Sequence, residues 1–146
     1  MEQKFNTPIL LNTFNRPEET KKVLEVLKGN NVPVLYIHND GPREGREDDV
    51  ENVKAVRNII DELVDWKCEV HKMYQENNLG CGVGPMTAMK WFFSDVAEGI
   101  IIEDDCVPHD DFFMYCQELL EKYRNNENVA TIGGTCRHPV KNSKFS

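Results

Sequence analysis

The chain alternates short apolar runs with helix-length amphipathic stretches, and that alternation restricts the fold more than any single residue does. Ile9-Leu10-Leu11 follows Pro8 and reads as a first buried strand. Arg16-Pro17-Glu18-Glu19 opens a helix, because proline suits the first turn and acids favour its positive end. Val23, Leu24 and Leu27 give that helix an apolar face, and Gly29 ends it. Val34 to His38 is a second strand, broken by Asn39-Asp40-Gly41-Pro42. A charged loop from Arg43 to Asp49 leads to a second helix with a stripe of Val53, Val56, Ile60, Leu63 and Val64. Glu69 to Tyr74 alternates like a strand nearer a sheet edge. Asn77 to Gly84 reads as a glycine-rich loop, and a helix runs from Pro85 to about Val96. A strand at Ile100-Ile101-Ile102 follows, fully buried by its composition. Asp110 or Asp111 can cap a fourth helix whose buried side uses Phe112, Cys116, Leu119, Leu120 and Tyr123. Val129 to Ile132 reads as a last strand before Gly133-Gly134. Repeated βα units predict an α/β protein, a three-layer α/β/α domain with a mostly parallel sheet and right-handed crossovers. The expected domain spans residues 1–136, with a polar, basic, irregular tail at 137–146.

The Ile run drives straight into Glu103-Asp104-Asp105. Three carboxylates at the end of a buried strand need compensation, since unpaired charge is expensive to desolvate. They cap the next helix as an acidic turn, or they hold a hard divalent cation such as Mg²⁺ or Mn²⁺. The metal reading is the stronger, because ligands in open α/β sheets bind beyond the carboxyl ends of strands. Two further polar clusters fall at strand ends, Asn12-Thr13-Phe14-Asn15-Arg16 and Asn39-Asp40-Gly41. The fold brings all three to one edge of the sheet, and that convergence outweighs any cluster alone.

The formal net charge is -8, from 17 Lys+Arg against 25 Asp+Glu. It argues against nucleic acid or an anionic membrane as partner, since both need a basic surface. It leaves room for a nucleotide held through a cation. The five cysteines, Cys68, Cys81, Cys106, Cys116 and Cys136, have neither disulfide-framework nor zinc spacing and read as free thiols. Cys106 is expected to be a small apolar filler, and Trp66 and Trp91 to lie in or near the core. His38, His71, His109 and His138 show no ligand spacing. No apolar signal core or membrane-spanning run is present, so the expected location is cytoplasmic, with no transmembrane segment.

The ordered set Pro8 to Pro17, His38-Asn39-Asp40-Gly41, Asn78-x-Gly80-x-Gly82 and Ile102-Glu103-Asp104-Asp105 resembles the GT-A-fold glycosyltransferases of family 2. The stretch from Glu103 to Tyr115 is similar to the Glu-Asp-Asp variant of their DXD motif, as in N-acetylglucosaminyltransferase I. The resemblance runs from about Pro8 to Gly134. It implies a nucleoside diphosphate sugar donor, most often a UDP-sugar, and Mn²⁺ or Mg²⁺ as cofactor. Under it, Thr13 and Arg16 meet the nucleoside, and Asp40 accepts a hydrogen bond from the uracil ring or contacts the nucleoside nearby. Asn78 and Gly80 approach the donor, Asp105 ligates the metal, and Glu103 and Asp104 contact ribose, sugar or metal-bound water. The chemistry is coherent, since a divalent cation neutralises charge on a departing diphosphate.

Relatives of this kind carry a general-base carboxylate well downstream of the acid triplet, and Thr135 to Ser146 holds no acid. No catalytic base is therefore identified, and the acceptor is unknown. The donor half reads as complete and the acceptor half as absent, as in a fragment or a short homologue. The competing reading is a non-catalytic nucleotide-sugar-binding module. A phosphoacceptor receiver-like domain ranks far below, because it needs an acid pair where Asn12-Thr13 stands.

Overall fold

A computed structural model describes residues 4–134 of the 146. The tail expected at 137–146, with Cys136 and His138, lies outside the described residues. Eight elements alternate: β1 (Ile9–Thr13), α1 (Pro17–Gly29), β2 (Val34–Asn39), α2 (Glu47–Leu63), β3 (Glu69–Tyr74), α3 (Gly80–Asp95), β4 (Ile100–Glu103) and α4 (Asp111–Tyr123). The strands form one sheet in the order β3-β2-β1-β4, with every pairing parallel. The fold is α/β, as the alternation predicts.

The strand order fixes where helices go. The chain steps outward from β1 to β2 to β3, then returns past β1 to β4. Right-handed crossovers in opposite directions place their helices on opposite faces. Ile9, Leu11, Leu35, Ile37, Ile100 and Ile102 pack with Val23, Leu24 and Leu27 of α1, Val56 and Ile60 of α2, and Phe113 and Cys116 of α4. Leu10 and Tyr36 point the other way and pack with Ala88 and Phe92 of α3. Period-two alternation thus sorts one strand's residues between a large core and a small one.

Several local expectations are corrected. α3 begins at Gly80 rather than Pro85, so the glycine-rich segment is its first turns. Pro85 lies inside the helix as its sixth residue, where it has no N–H to give to the carbonyl four residues back. β4 is not buried throughout, for Ile101 is 38% exposed between buried Ile100 and Ile102. The cause is position: β4 is an edge strand, and α3 packs on Leu10 and Tyr36 of the neighbouring strands. Val129 to Ile132 forms no strand. β-forming composition alone supplies no ladder partner, and the segment instead borders a hollow beside α4 with Ala97 and Glu98. α4 buries Phe113, Cys116 and Gln117, while Phe112 and Leu120 are only partly buried. Gln117 earns its place by accepting from Asn6 N–H at 2.8 Å and Thr7 Oγ1 at 3.1 Å. Asp110 makes no capping bond and accepts from Asn30 Nδ2 at 2.9 Å instead.

Trp66 and Trp91 are partly buried against the two cores. Cys68, Cys81, Cys106 and Cys116 are free thiols. Cys106 is exposed rather than packed. No helix among the described residues is long and apolar enough to cross a membrane.

Candidate functional site

The strand order reverses at β1, whose neighbours are β2 and β4. The helices that follow these two strands, α1 and α4, pack on the larger core, and the carboxyl ends of the strands are left open, where ligands bind in open α/β sheets. A cleft of about 420 Å³ lies there, lined by Asn12, Thr13, Phe14 and Arg16 at and beyond the end of β1 and by Glu103, Asp104 and Asp105 at and beyond the end of β4. His38, Asp40 and Arg43 border it from β2, and Asn78, Gly80, Cys81 and Pro85 from α3 and the turn before it. That volume is within the range of small-molecule sites. All eight residues singled out in the sequence, Thr13, Arg16, Asp40, Asn78, Gly80, Glu103, Asp104 and Asp105, border this one cleft.

Arg16 bridges the crevice. Its Nη1 lies 2.5 Å from Asp105 Oδ2 and 3.6 Å from Asp104 Oδ1. The hydrogen bond from Arg16 holds the Asp105 carboxyl below the usual aspartate range. Asp104 behaves oppositely: burial pushes its carboxyl up, while the Phe14 N–H and the charge of Arg16 oppose that. Phe14 N–H donates to Asp104 Oδ2 at 3.0 Å, which is the compensation a buried carboxylate requires. Glu103 is exposed at the rim, and its side chain makes no hydrogen bond or ion pair among the described residues.

Two carboxylates converging on one cationic nitrogen define a position suited to a cation. Their hard oxygen donors fit Mg²⁺ or Mn²⁺. Among the described residues no three His, Cys, Asp or Glu side chains form a metal cage. A cation here would use one or two of these carboxylates and complete its shell with ligand oxygens and water, as Mg²⁺ commonly does.

Other expected contacts are engaged within the fold. Asp40 Oδ1 accepts from Gly41 N–H at 2.9 Å and Leu79 N–H at 2.8 Å. Its Oδ2 accepts from Gly80 N–H at 3.0 Å and Asn78 Nδ2 at 3.1 Å. Four accepted bonds are about the capacity of a carboxylate, so Asp40 ties the end of β2 to the start of α3. Asn78 doubles that tie through Gly41 O at 2.9 Å. Thr13 Oγ1 donates to His38 O at 3.0 Å and accepts from Asn39 Nδ2 at 3.0 Å, locking β1 to β2.

Sequence reasoning passed over Asp49, Arg43 and His38. Asp49 opens α2 and is fully buried. It accepts from Arg43 Nε at 2.5 Å and Nη2 at 2.9 Å, and from Asn15 Nδ2 at 2.6 Å. These bonds to Arg43 hold its carboxyl well below the aspartate range. Asp49 thereby positions Arg43, which lies 5.5 Å over the Phe14 ring, on the cleft wall. The available signal was the charged run itself, since an acid at a helix start beside two arginines commonly pairs.

Asp49→Ala should lower stability by about 1–2 kcal/mol in urea unfolding, discounting a pair whose arginine is half-exposed. The folded-state pKa of Asp49 is depressed, so its contribution is present above about pH 3.9 and fades as pH falls. The gap between wild type and variant should therefore close on acidification.

No family model, curated protein or solved structure matches the chain. The cleft's own chemistry carries the functional argument.

Proposed function

We propose that the domain is a metal-dependent glycosyltransferase, or the donor-binding portion of one, that takes a nucleoside diphosphate sugar, specifically a UDP-sugar. The observation that carries this reading is the Arg16–Asp105–Asp104 cluster straddling the point where strand order reverses. A site built for an uncharged ligand has no use for an arginine and two carboxylates at its mouth. A site for a diphosphate held with a cation uses both signs of charge.

In this reading Arg16 meets phosphate oxygens, while the Leu79 and Gly80 N–H groups at the start of α3 serve Asp40. Asp105 offers a carboxylate to the cation, and Asp104, fixed by Phe14 N–H, completes the acidic wall. A bound Mn²⁺ or Mg²⁺ would neutralise the diphosphate charge that grows as the sugar departs. Asp40, Asn78 and Gly80 set the wall between β2 and α3 through their mutual bonds. Among the described residues Glu103 is the cleft acid whose side chain has no hydrogen-bond or ion-pair partner, and it is available to sugar hydroxyls at the rim.

A non-catalytic nucleotide-sugar-binding module would use the same cleft, and turnover separates the two. Calorimetric titration of UDP should show micromolar-range binding with Mn²⁺, about −8 kcal/mol, and at least about tenfold weaker binding in EDTA. Equal binding in both conditions would remove the cation from the reading. Release of UDP from a UDP-sugar, with water as acceptor, would favour the enzyme over the module.

A further inference from the structure

A line of hydrogen bonds crosses the carboxyl ends of all four strands and stops on a cleft carboxylate. It starts at Arg57, a half-buried residue of α2. Arg57 Nη2 donates to Gln75 O, just past β3, at 2.7 Å, and the guanidinium lies 4.8 Å over the Tyr74 ring. Its Nε donates to Asn39 Oδ1, at the end of β2, at 2.7 Å. Asn39 Nδ2 donates in turn to Thr13 Oγ1 at 3.0 Å and to Phe14 O at 2.9 Å. Phe14 N–H then donates to Asp104 Oδ2 at 3.0 Å. Asp104 and Phe14 line the cleft, whereas Asn39 and Arg57 lie behind it.

Asn39 is fully buried, and both polar atoms of its side chain are engaged. The direction of its carboxamide is forced. An arginine only donates and a carbonyl only accepts, so Oδ1 faces Arg57 and Nδ2 faces Phe14. Without Arg57, Oδ1 is left buried and unpaired, and the carboxamide is no longer held from behind. The Asp104 end leans on this line rather than on the sheet. The β1–β4 ladder stops at the pair Asn12 and Glu103, so Phe14 and Asp104 both lie beyond it. The Phe14 N–H ties Asp104 Oδ2, while Oδ1 is the oxygen turned toward Arg16, whose Nη1 is 3.6 Å away. One oxygen is fixed by the fold and the other is offered to the cleft.

We propose that Arg57, acting through Asn39, is a positioning residue for the cation end of the cleft: it sets the Phe14 peptide whose N–H holds the Asp104 carboxylate in place. The cation role rests on the metal-dependent reading above, and the relay of hydrogen bonds is a property of the fold alone. Groups behind the ligands of a cation commonly act this way, by fixing the orientation of the acids in front of them. Arg57 stands 18 positions from both Asn39 and Gln75 in the chain and touches neither Asp104 nor Asp105.

The test pairs hydrogen exchange by NMR, on the full chain without ligand or metal, with calorimetry. Arg57→Met keeps an unbranched stem and removes both donors. Its Phe14 N–H should speed up in exchange, relative to wild type, by at least about tenfold more than the Ile100 N–H does. Ile100 N–H donates to Pro8 O at 2.9 Å at the other end of the same two strands. A general loss of stability would speed both amides alike, so the excess at Phe14 separates positioning from mere support. Arg57→Lys, which keeps one donor, should show an excess of about threefold, and it carries the test if Arg57→Met does not fold. In calorimetry Arg57→Met should bind UDP about tenfold more weakly than wild type in Mn²⁺ and within about twofold of it in EDTA. No excess exchange at Phe14, or equal losses of UDP with and without Mn²⁺, overturns the assignment. Wild type that binds no UDP in Mn²⁺ overturns the parent reading and the cation role with it, whether or not Phe14 answers to Arg57.

Discussion

Asp105→Ala is expected to weaken Mn²⁺-dependent UDP binding by about 100-fold, near 3 kcal/mol, as loss of a charged ligand contact commonly does. The fold should survive, because the Asp105 side chain is 46% exposed and lies beyond the end of β4. The substitution also has an opposite consequence that makes the experiment sharper. Arg16 Nη1 is held 2.5 Å from Asp105 Oδ2. Removing that carboxylate frees the guanidinium and deletes one negative charge from the cleft, and both changes attract an anion. UDP binding measured in EDTA should therefore stay the same or strengthen in the variant. A purely electrostatic role for Asp105 predicts tighter binding in both conditions. A ligand role predicts weaker binding with Mn²⁺ and unchanged or tighter binding without it. Calorimetry in the two buffers separates them, and tighter binding in Mn²⁺ would remove Asp105 as a cation ligand.

The parts of the fold legible in the sequence were those encoded by local periodicity. Ile9 to Leu11 and Val34 to His38 read as strands because apolar β-formers recur; the first is buried as expected, and the second is buried from Leu35 on. The stripe at Val53, Val56 and Ile60 read as a helix face and is one. The site was legible through strand ends, since sequence places polar clusters there and topology alone gathers them. What escaped depended on partners distant in the chain. Val129 to Ile132 has strand composition but no paired neighbour. Ile101 matches Ile100 and Ile102 in kind, and only its place on an edge strand exposes it. Asp40 reads as a turn residue or a ligand contact, and neither reading shows that Leu79 and Gly80 supply two of its hydrogen bonds from 39 and 40 positions away. His38 and Asn12 stand 26 positions apart in the chain, and only the register of β1 on β2 sets them side by side.

Gly41→Ala should be the most damaging small substitution near the site. A Cβ at Gly41 would lie 2.5 Å from the backbone carbon of Asn77, and 2.7 Å from both its nitrogen and its oxygen. Those atoms are backbone, so no rotamer change relieves the clash. The chain leaving β2 and the chain entering α3 must move apart. That movement strains the bonds from Asn78 Nδ2 to Gly41 O and Asp40 Oδ2, and with them the cleft wall. Overpacking of this kind costs about 1–3 kcal/mol. The upper end, about 3 kcal/mol, applies here because hydrogen bonds are stretched as well. Gly82→Ala is the matched control, since a Cβ there meets nothing within 4 Å and an alanine in α3 is favoured over glycine. Urea unfolding should show Gly41→Ala well below wild type and Gly82→Ala at or slightly above it. Among molecules that remain folded, Gly41→Ala should weaken UDP more than pyrophosphate, because the displaced wall borders the β2 side of the cleft and not Arg16. An equal loss for both ligands would mean that the wall carries the whole site. Wild-type stability in Gly41→Ala would show that the close approach of these two segments is not maintained in solution.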